Sequence, residues 1–173
     1  MPATTLYRRP VRTQGKNKYI WMPAVGDASA VTVAETTQTG AFEIQCATDG
    51  IDLSGAISHQ TTDGVALDCD TVVPSEPAPT KLGTFQLHIF EKPQEADAFY
   101  AATPPDSQGW LACRAGLPHG EDVEAGQMLR YVAHVQFVGG KIPGGTDGGT
   151  STYSYTRTCL LLEDLEYDVV VSA

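Results

Sequence analysis

The sequence predicts a mainly-β protein: two packed antiparallel sheets, sandwich-like, with one short flanking helix. Three observations carry this. Clean period-two alternation recurs, with Phe42, Ile44 and Cys46 set against Glu43, Gln45 and Ala47, and Phe85, Leu87 and Ile89 against Thr84, Gln86 and His88. Turn-forming residues punctuate the chain throughout, including 17 Gly and 11 Pro. Only one stretch, PQEADAFYAAT, has convincing helical spacing.

The elements follow in order. Residues 1–18 form an extended arm with Pro2, Pro10 and Gly15 and no sustained period; residues 19–173 form a single β-rich domain. KYIWMPAV is a compact apolar patch in which Trp21 anchors the arm on the body. Val31, Val33 and the Thr-rich run to Thr39 read as weakly extended. A strand follows over AFEIQCAT and ends at Asp49-Gly50. Residues 51–79 lack a strong period and are broken by Gly55, Asp63-Gly64 and PSEPAP. That is a long loop, expected to project and to order on packing against something else.

Residues 80–117 read as strand, helix, strand. Pro93 suits a first helical turn, and Glu95 and Asp97 suit a helix N-terminus. Pro104-Pro105 forbids continuation, and GWLACRAGL returns as a strand. In the longest strand, 128–138, Leu129, Tyr131, Ala133, Val135 and Phe137 share one face; Arg130, His134 and Gln136 share the other. Residues 139–151 are a Gly-rich hairpin tip. STYSYTRTCLLL and EYDVVV close the chain as strands, with Thr156 and Thr158 alternating against Tyr155, Arg157 and Cys159.

Charge is unevenly placed. Arg8, Arg9, Arg12, Lys16 and Lys18 are five of the 11 basic residues, and no acid precedes Asp27. From Tyr19 onward, 21 acidic residues face 6 basic ones. An acidic body repels nucleic acid; the basic arm alone can contact phosphates or an acidic neighbouring copy of the same chain, and the second is favoured because the body supplies the complementary surface. No apolar run approaches the roughly 20 residues of a membrane-spanning helix, and the N-terminus lacks the apolar core of a secretory signal. Synthesis and folding in a cytosol are therefore expected.

The chemical signals are sparse. Cys46, Cys69, Cys113 and Cys159 have no zinc spacing and read as buried small hydrophobes. GGK at 139–141 has Ile142 where a phosphate loop needs Ser or Thr. His88 and His134 sit at polar strand positions, and His59 and His119 lie in loops. Asp49, Asp52, Asp68 and Asp70 do not match a calcium loop. Ser54 lacks a nucleophile-elbow frame. No catalytic, cofactor or metal site is expected. Arms, loops and polar strand edges that cannot pack within their own domain point to assembly.

At this point TQGKNKYIWMPAV, VTVAETTQTGAFEIQCATDGIDLSG, TFQLHIFEKPQEADAFYAA and EDVEAGQMLRYVAHVQF, taken as an ordered pattern, resemble the major tail tube proteins of long, flexible-tailed bacteriophages. The resemblance implies a structural virion protein assembled in the host cytoplasm. Its subunits close into hexameric rings that stack as a tube and join other tail proteins. Each subunit shares strands into a ring-wide β-barrel, and DNA passes through the lumen without specific binding. No membrane partner is implied. With this body, an acidic lumen is expected. The strand faces expected to line it are Glu43, Gln45, Gln86 and His88; the rival pair is 128–138 with 152–160. The Gly-rich tip does not map onto the family pattern. Two other readings compete: a tail terminator or neck ring protein, and a β-sandwich carbohydrate- or receptor-binding module using Trp110 and calcium.

Overall fold

A computed structural model describes residues 16–48, 51, 53, 57–58, 61–62, 76–77, 81–90, 95–144 and 153–173. The elements are β1 (Asn17–Met22), α1 (Val33–Thr36), β2 (Phe42–Glu43), β3 (Ile57–Ser58), β4 (Thr61–Thr62), β5 (Glu76–Pro77), β6 (Lys81–Leu82), β7 (Thr84–Phe90), α2 (Ala98–Ala102), β8 (Gln108–Ala115), β9 (Met128–Gly144), β10 (Ser154–Leu161) and β11 (Glu166–Val170). Seven strands form one antiparallel sheet in the order β2-β1-β8-β9-β10-β7, with β11 also paired to β9. β3 pairs with β6 and β4 with β5 as separate two-stranded ribbons.

The mainly-β expectation holds. The layering comes from one principal sheet curling on itself, rather than from two sheets of independent hydrogen bonding. β9 makes this possible. One of its edges carries β8; the other carries β11 along Met128–Val132 and β10 along Val135–Gly144. A strand of this length serves two sub-sheets that twist apart. The curl brings the far ends together, where the Phe90 amide donates to the Ala47 carbonyl at 2.7 Å.

Both faces of the β1–β8–β9 region are buried. On the concave side Trp21, Leu111, Ala133 and Phe137 pack with Phe85, Leu87 and Ile89 of β7 and Tyr155 and Cys159 of β10. Phe99 of α2 joins this core, edge-on to Trp21 at 6.2 Å and to Phe137 at 6.0 Å. On the opposite side Ile20, Met22, Ala112, Val132 and Val169 form a second core with Val31 and Val123. Gly109 permits the close crossing of β1 and β8: a Cβ there would stand 2.3 Å from the Trp21 ring.

Several local expectations are corrected. The Thr-rich stretch after Val31 is helical over α1, because Thr32 and Glu35 form a capping box that overrides β-branched propensity. There are thus two short helices among the described residues. The strand expected over 41–48 is reduced to β2; the Ala47 amide closes a turn onto the Ile44 carbonyl. Leu129 does not share a face with Tyr131. The register against β8 slips between Cys113 and Arg114, a bulge that sends Leu129 into the second core. α2 is shorter than the expected helix and starts from Asp97, whose carboxylate accepts from the Tyr100 amide at 2.8 Å. Pro93 and most of the loop 51–79 lie outside the described residues, as do Asp49, Asp52, Asp68, Asp70 and the tip at 145–152.

Candidate functional site: an outward sheet face and a strand edge

Alternation along β7 sends Phe85, Leu87 and Ile89 into the core and leaves Thr84, Gln86, His88 and Phe90 on the other side. The strand register extends this outward surface across three strands. His88 stands beside Thr156 and Thr156 beside Ile142; Gln86 beside Thr158 and Thr158 beside Val138; Thr84 beside Leu160 and Leu160 beside Gln136. The second core covers the same side of the sheet only at its β1–β8–β11 end. None of these outward residues carries a formal charge with histidine neutral, but the next residue in phase on β9, His134, lies 3.0 Å from the exposed Glu163 carboxylate. The face mixes hydroxyls and amides with a few apolar groups, Val138 and Ile142 among the exposed ones.

Two of the cations on these strands, Arg157 and Lys141, turn to the core side, while Arg130 at the β11 end of β9 is exposed. Arg157 shares the parity of Tyr155 and Cys159 and is 0% exposed. Its Nη1 donates to the Thr103 carbonyl at 2.6 Å and to the Thr103 hydroxyl at 3.2 Å. Its guanidinium lies 4.2 Å from the Phe137 ring centre and 5.0 Å from that of Tyr100. Burial pulls its pKa down from the ordinary arginine value, with neighbouring Tyr100 and Cys159 opposing that shift. Lys141 lies 4.1 Å over the Tyr155 ring and 2.9 Å from the Asp97 carboxylate. Burial pushes Asp97 upward, but hydrogen bonds from the Tyr100 amide, Lys141 and Tyr155 overcome it and hold the carboxyl below its ordinary value. Together these contacts fasten α2 to the β9–β10 hairpin.

The edge of β7 is the second feature. Because the Phe90 amide points away from β10, the backbone groups of Gln86 and Thr84, two and four residues earlier, point the same way. The Gly83 carbonyl points to β10, accepting from the Leu161 amide at 3.1 Å, which fixes the opposite parity. Among the described residues no strand pairs with β7 along this outer edge. An unpaired edge of this kind is a template for another strand.

The residues expected to line a lumen separate into two groups. Gln86 and His88 lie on the outward face, beside Thr158 and Thr156 of one of the rival strands. Glu43 and Gln45 lie at the β2 end. The Glu43 carboxylate is paired with the Lys18 ammonium and accepts from the Gln45 amide at 3.0 Å. Lys18 corrects the arm boundary: it belongs to β1, is 1% exposed, and meets Glu43 of its own chain. The Lys16 carbonyl accepts from the Gly116 amide at 2.9 Å, while Arg8, Arg9 and Arg12 lie outside the described residues. Burial opposes ionisation of Glu43, yet Lys18 and Gln45 hold its carboxyl below the ordinary value.

Other side chains were partly legible. Arg157 sits in phase with buried residues of an alternating run, which marks it as inward. Nothing in the sequence marks Arg114, fully buried, whose guanidinium gathers the Pro118 and Asp122 carbonyls at 2.7 and 2.8 Å. Cys113 and Cys159 are buried, and burial pushes their thiols up to about 11 and about 12. Cys46 is exposed instead, because the turn after β2 lifts it out of the core. Cys69 lies outside the described residues. Trp110, a sugar platform only in the rival binding-module reading, stacks on the His134 ring at 4.3 Å, so one of its faces is covered. Among the described residues no group of three or more His, Cys, Asp or Glu could hold a metal, and no helix is long and apolar enough to cross a membrane.

Comparison with known proteins gives this geometry a context. Residues 5–173 match the family described as "Phage tail tube protein". The chain belongs to that family. This tail tube family member is thus a structural tail protein of phage type. No curated protein sequence matches it. Among solved structures, one titled "Cryo-EM Structure of an Extracellular Contractile Injection System, PVC sheath/tube terminator in extended state" is similar at a TM-score of 0.55 and 11% identity, over 94% of this chain and 98% of that one. A second, titled "Cryo-EM structure of the anti-feeding prophage (AFP) baseplate, 6-fold symmetrised", is similar at 0.55 and 10% identity, over 93% and 96%. At such identities the likeness is one of fold.

Proposed function

We propose that this chain is the repeating subunit of a phage tail tube of the long, flexible kind. Copies close into hexameric rings, the rings stack, and DNA passes through the hollow centre. The observation that carries this reading is the outer edge of β7, which no strand pairs among the described residues, beside a sheet face that the second core leaves uncovered. Ladder hydrogen bonds from a neighbouring copy would satisfy the Thr84 and Gln86 backbone groups and extend the sheet around the ring. The basic arm at 1–16 would make a further contact, with Arg8, Arg9, Arg12 and Lys16 on an acidic neighbour. Its root lies at Gly116, beside the exposed acids Glu121, Asp122 and Glu124.

Electron microscopy of the concentrated protein tests the proposal. Long tubes of uniform width, or stacks of rings, are expected. A second reading, a terminator that caps the tube with one ring, is supported by the fold shared with a structure titled as a sheath/tube terminator. Single rings that never stack would favour it. Removing residues 2–15 should leave a folded monomer, since β1 begins at Asn17, yet impair assembly. Normal tubes from that truncation would show the arm to be dispensable.

A further inference from the structure

β9 is shared by two half-sheets, and His134 stands where they part. On one side of it β9 pairs with β11 as far as Val132; on the other it pairs with β10 from Val135. The turn 162–165 carries the chain from β10 to β11 across this branch. His134 holds that turn twice. Its carbonyl accepts from the Leu162 amide at 2.9 Å, and its Nδ1 lies 3.0 Å from the Glu163 carboxylate. The face of the ring is stacked on Trp110 of β8, 4.3 Å between centres and 8° from parallel. Trp110 and His134 are register partners, so the strand ladder itself sets up the stack. The side chain keeps 19% exposure, which lets protons from solvent reach it. The charged groups on the surrounding elements are Glu163 and Asp164 on the turn, Glu166 on β11 opposite Val132, Asp106 before β8, whose carbonyl accepts from Gln136, and Arg130 on β9. β8 presents Trp110, and β10 presents Leu160 beside Gln136.

We propose that His134 is a proton-sensitive clamp on this branch, holding the turn at Leu162 and Glu163 more tightly when its imidazole is protonated. A proton strengthens both side-chain contacts at once. The bond to Glu163 becomes an ion pair, and the cation meets the π face of Trp110. Neutral imidazole keeps the geometry and loses both charge contributions. The hold is therefore strongest in mild acid and weakens as pH rises through the range, about 5 to 8, in which histidine side chains release their proton. A tight turn fixes the β10–β7 half, and with it the outer edge of β7, against β8 and β11. The clamp acts within one subunit and does not depend on the tube reading.

The test follows tryptophan emission and hydrogen exchange of the Leu162 amide in the free, full-length chain between about pH 8 and 5. A stacked imidazolium quenches indole more strongly than imidazole does, so emission should fall as pH is lowered; Trp21 packs on Phe99 and Phe137 instead. Once the intrinsic pH dependence of exchange is removed, opening at Leu162 should become about 1.5- to 5-fold rarer in acid, the effect of an exposed ion pair. His134→Gln should abolish both responses. Glu163→Gln changes a side chain that is 61% exposed and should fold normally. It should keep the fall in emission, move its midpoint down by about 0.2–0.7 pH unit, and remove most of the response at Leu162. Emission that ignores pH, or that falls equally in His134→Gln, would overturn the stack as the sensor. A fall in emission with no change at Leu162 would overturn the clamp. If His134→Gln does not fold, Glu163→Gln decides alone: behaviour matching the unmodified chain in both measurements would overturn the proposal.

Discussion

Two adjacent proline substitutions in β7 separate an edge that is open from one that is already paired. Gln86 directs its backbone N–H off the sheet, so among the described residues Gln86→Pro removes no ladder bond, and its side chain is already exposed. Proline is tolerated on such an edge, and the cost to the monomer should stay below about 1 kcal/mol. Leu87 stands opposite Arg157 of β10, in phase with the Gly83–Leu161 bond. Leu87→Pro removes that amide, leaves a buried carbonyl without its donor at a cost of about 1–3 kcal/mol, and empties part of a side-chain site that is 1% exposed. The loss of packing adds about 2 kcal/mol, for a total near 3–5 kcal/mol. Urea unfolding followed by the fluorescence of Trp21 and Trp110 measures both variants. Assembly is then scored by electron microscopy, where Gln86→Pro should fold normally and yield no tubes. Normal tubes from Gln86→Pro would refute the open edge as the joint between subunits. Destabilisation equal to that of Leu87→Pro would refute the claim that the edge is open.

Arg157→Ala should destabilise the monomer by about 3–5 kcal/mol, since it removes the donor to Thr103 and the buried stack on Phe137; Arg157→Met, which keeps the bulk, should lose less, and equal losses in urea unfolding would show that the bonds to Thr103 carry the effect and packing does not. Asp97 and Glu43 both ionise more readily in the fold than in the unfolded chain. Their stabilisation is fully present above the unfolded carboxylate values, near pH 4, and is lost as pH falls through the lower folded values. Asp97→Asn should therefore flatten the acid limb of a urea-midpoint profile between about pH 3 and 5, and an unaltered limb would rule out Asp97 as a contributor. Gly109→Ala should cost about 1–3 kcal/mol by overpacking, because its Cβ would also stand 2.9 Å from the Met22 carbonyl; a thermal midpoint matching the unmodified chain would show that β1 and β8 can move apart freely.

Much of the assembly surface is a matter of local alternation. The same period that buries Phe85, Leu87 and Ile89 must expose Thr84, Gln86 and His88. The same holds for β10, where Thr156 and Thr158 oppose Tyr155 and Cys159. These faces follow from a two-residue repeat imposed by the pleat, and they can be read without a fold. The missed helix α1 was also local: Thr32 and Glu35 at the spacing of a capping box outweighed three β-branched neighbours.

The sequence by itself determined that this chain is mainly β, where its longest strands run, which residues alternate, and that its charge divides into a basic start and an acidic body. Those properties depend on neighbours in the chain. The tertiary structure alone decided that one sheet curls to bring Ala47 to Phe90, that a bulge turns Leu129 to the other core, and that Lys18 is held by Glu43 rather than extending with the arm. It also decided that Gln86 lies on an edge rather than mid-sheet, and that Thr158 and Val138 stand beside it on the same face. Such outcomes depend on which strand lies beside which. Pairing joins residues far apart in sequence, and no repeat along one strand encodes its neighbour.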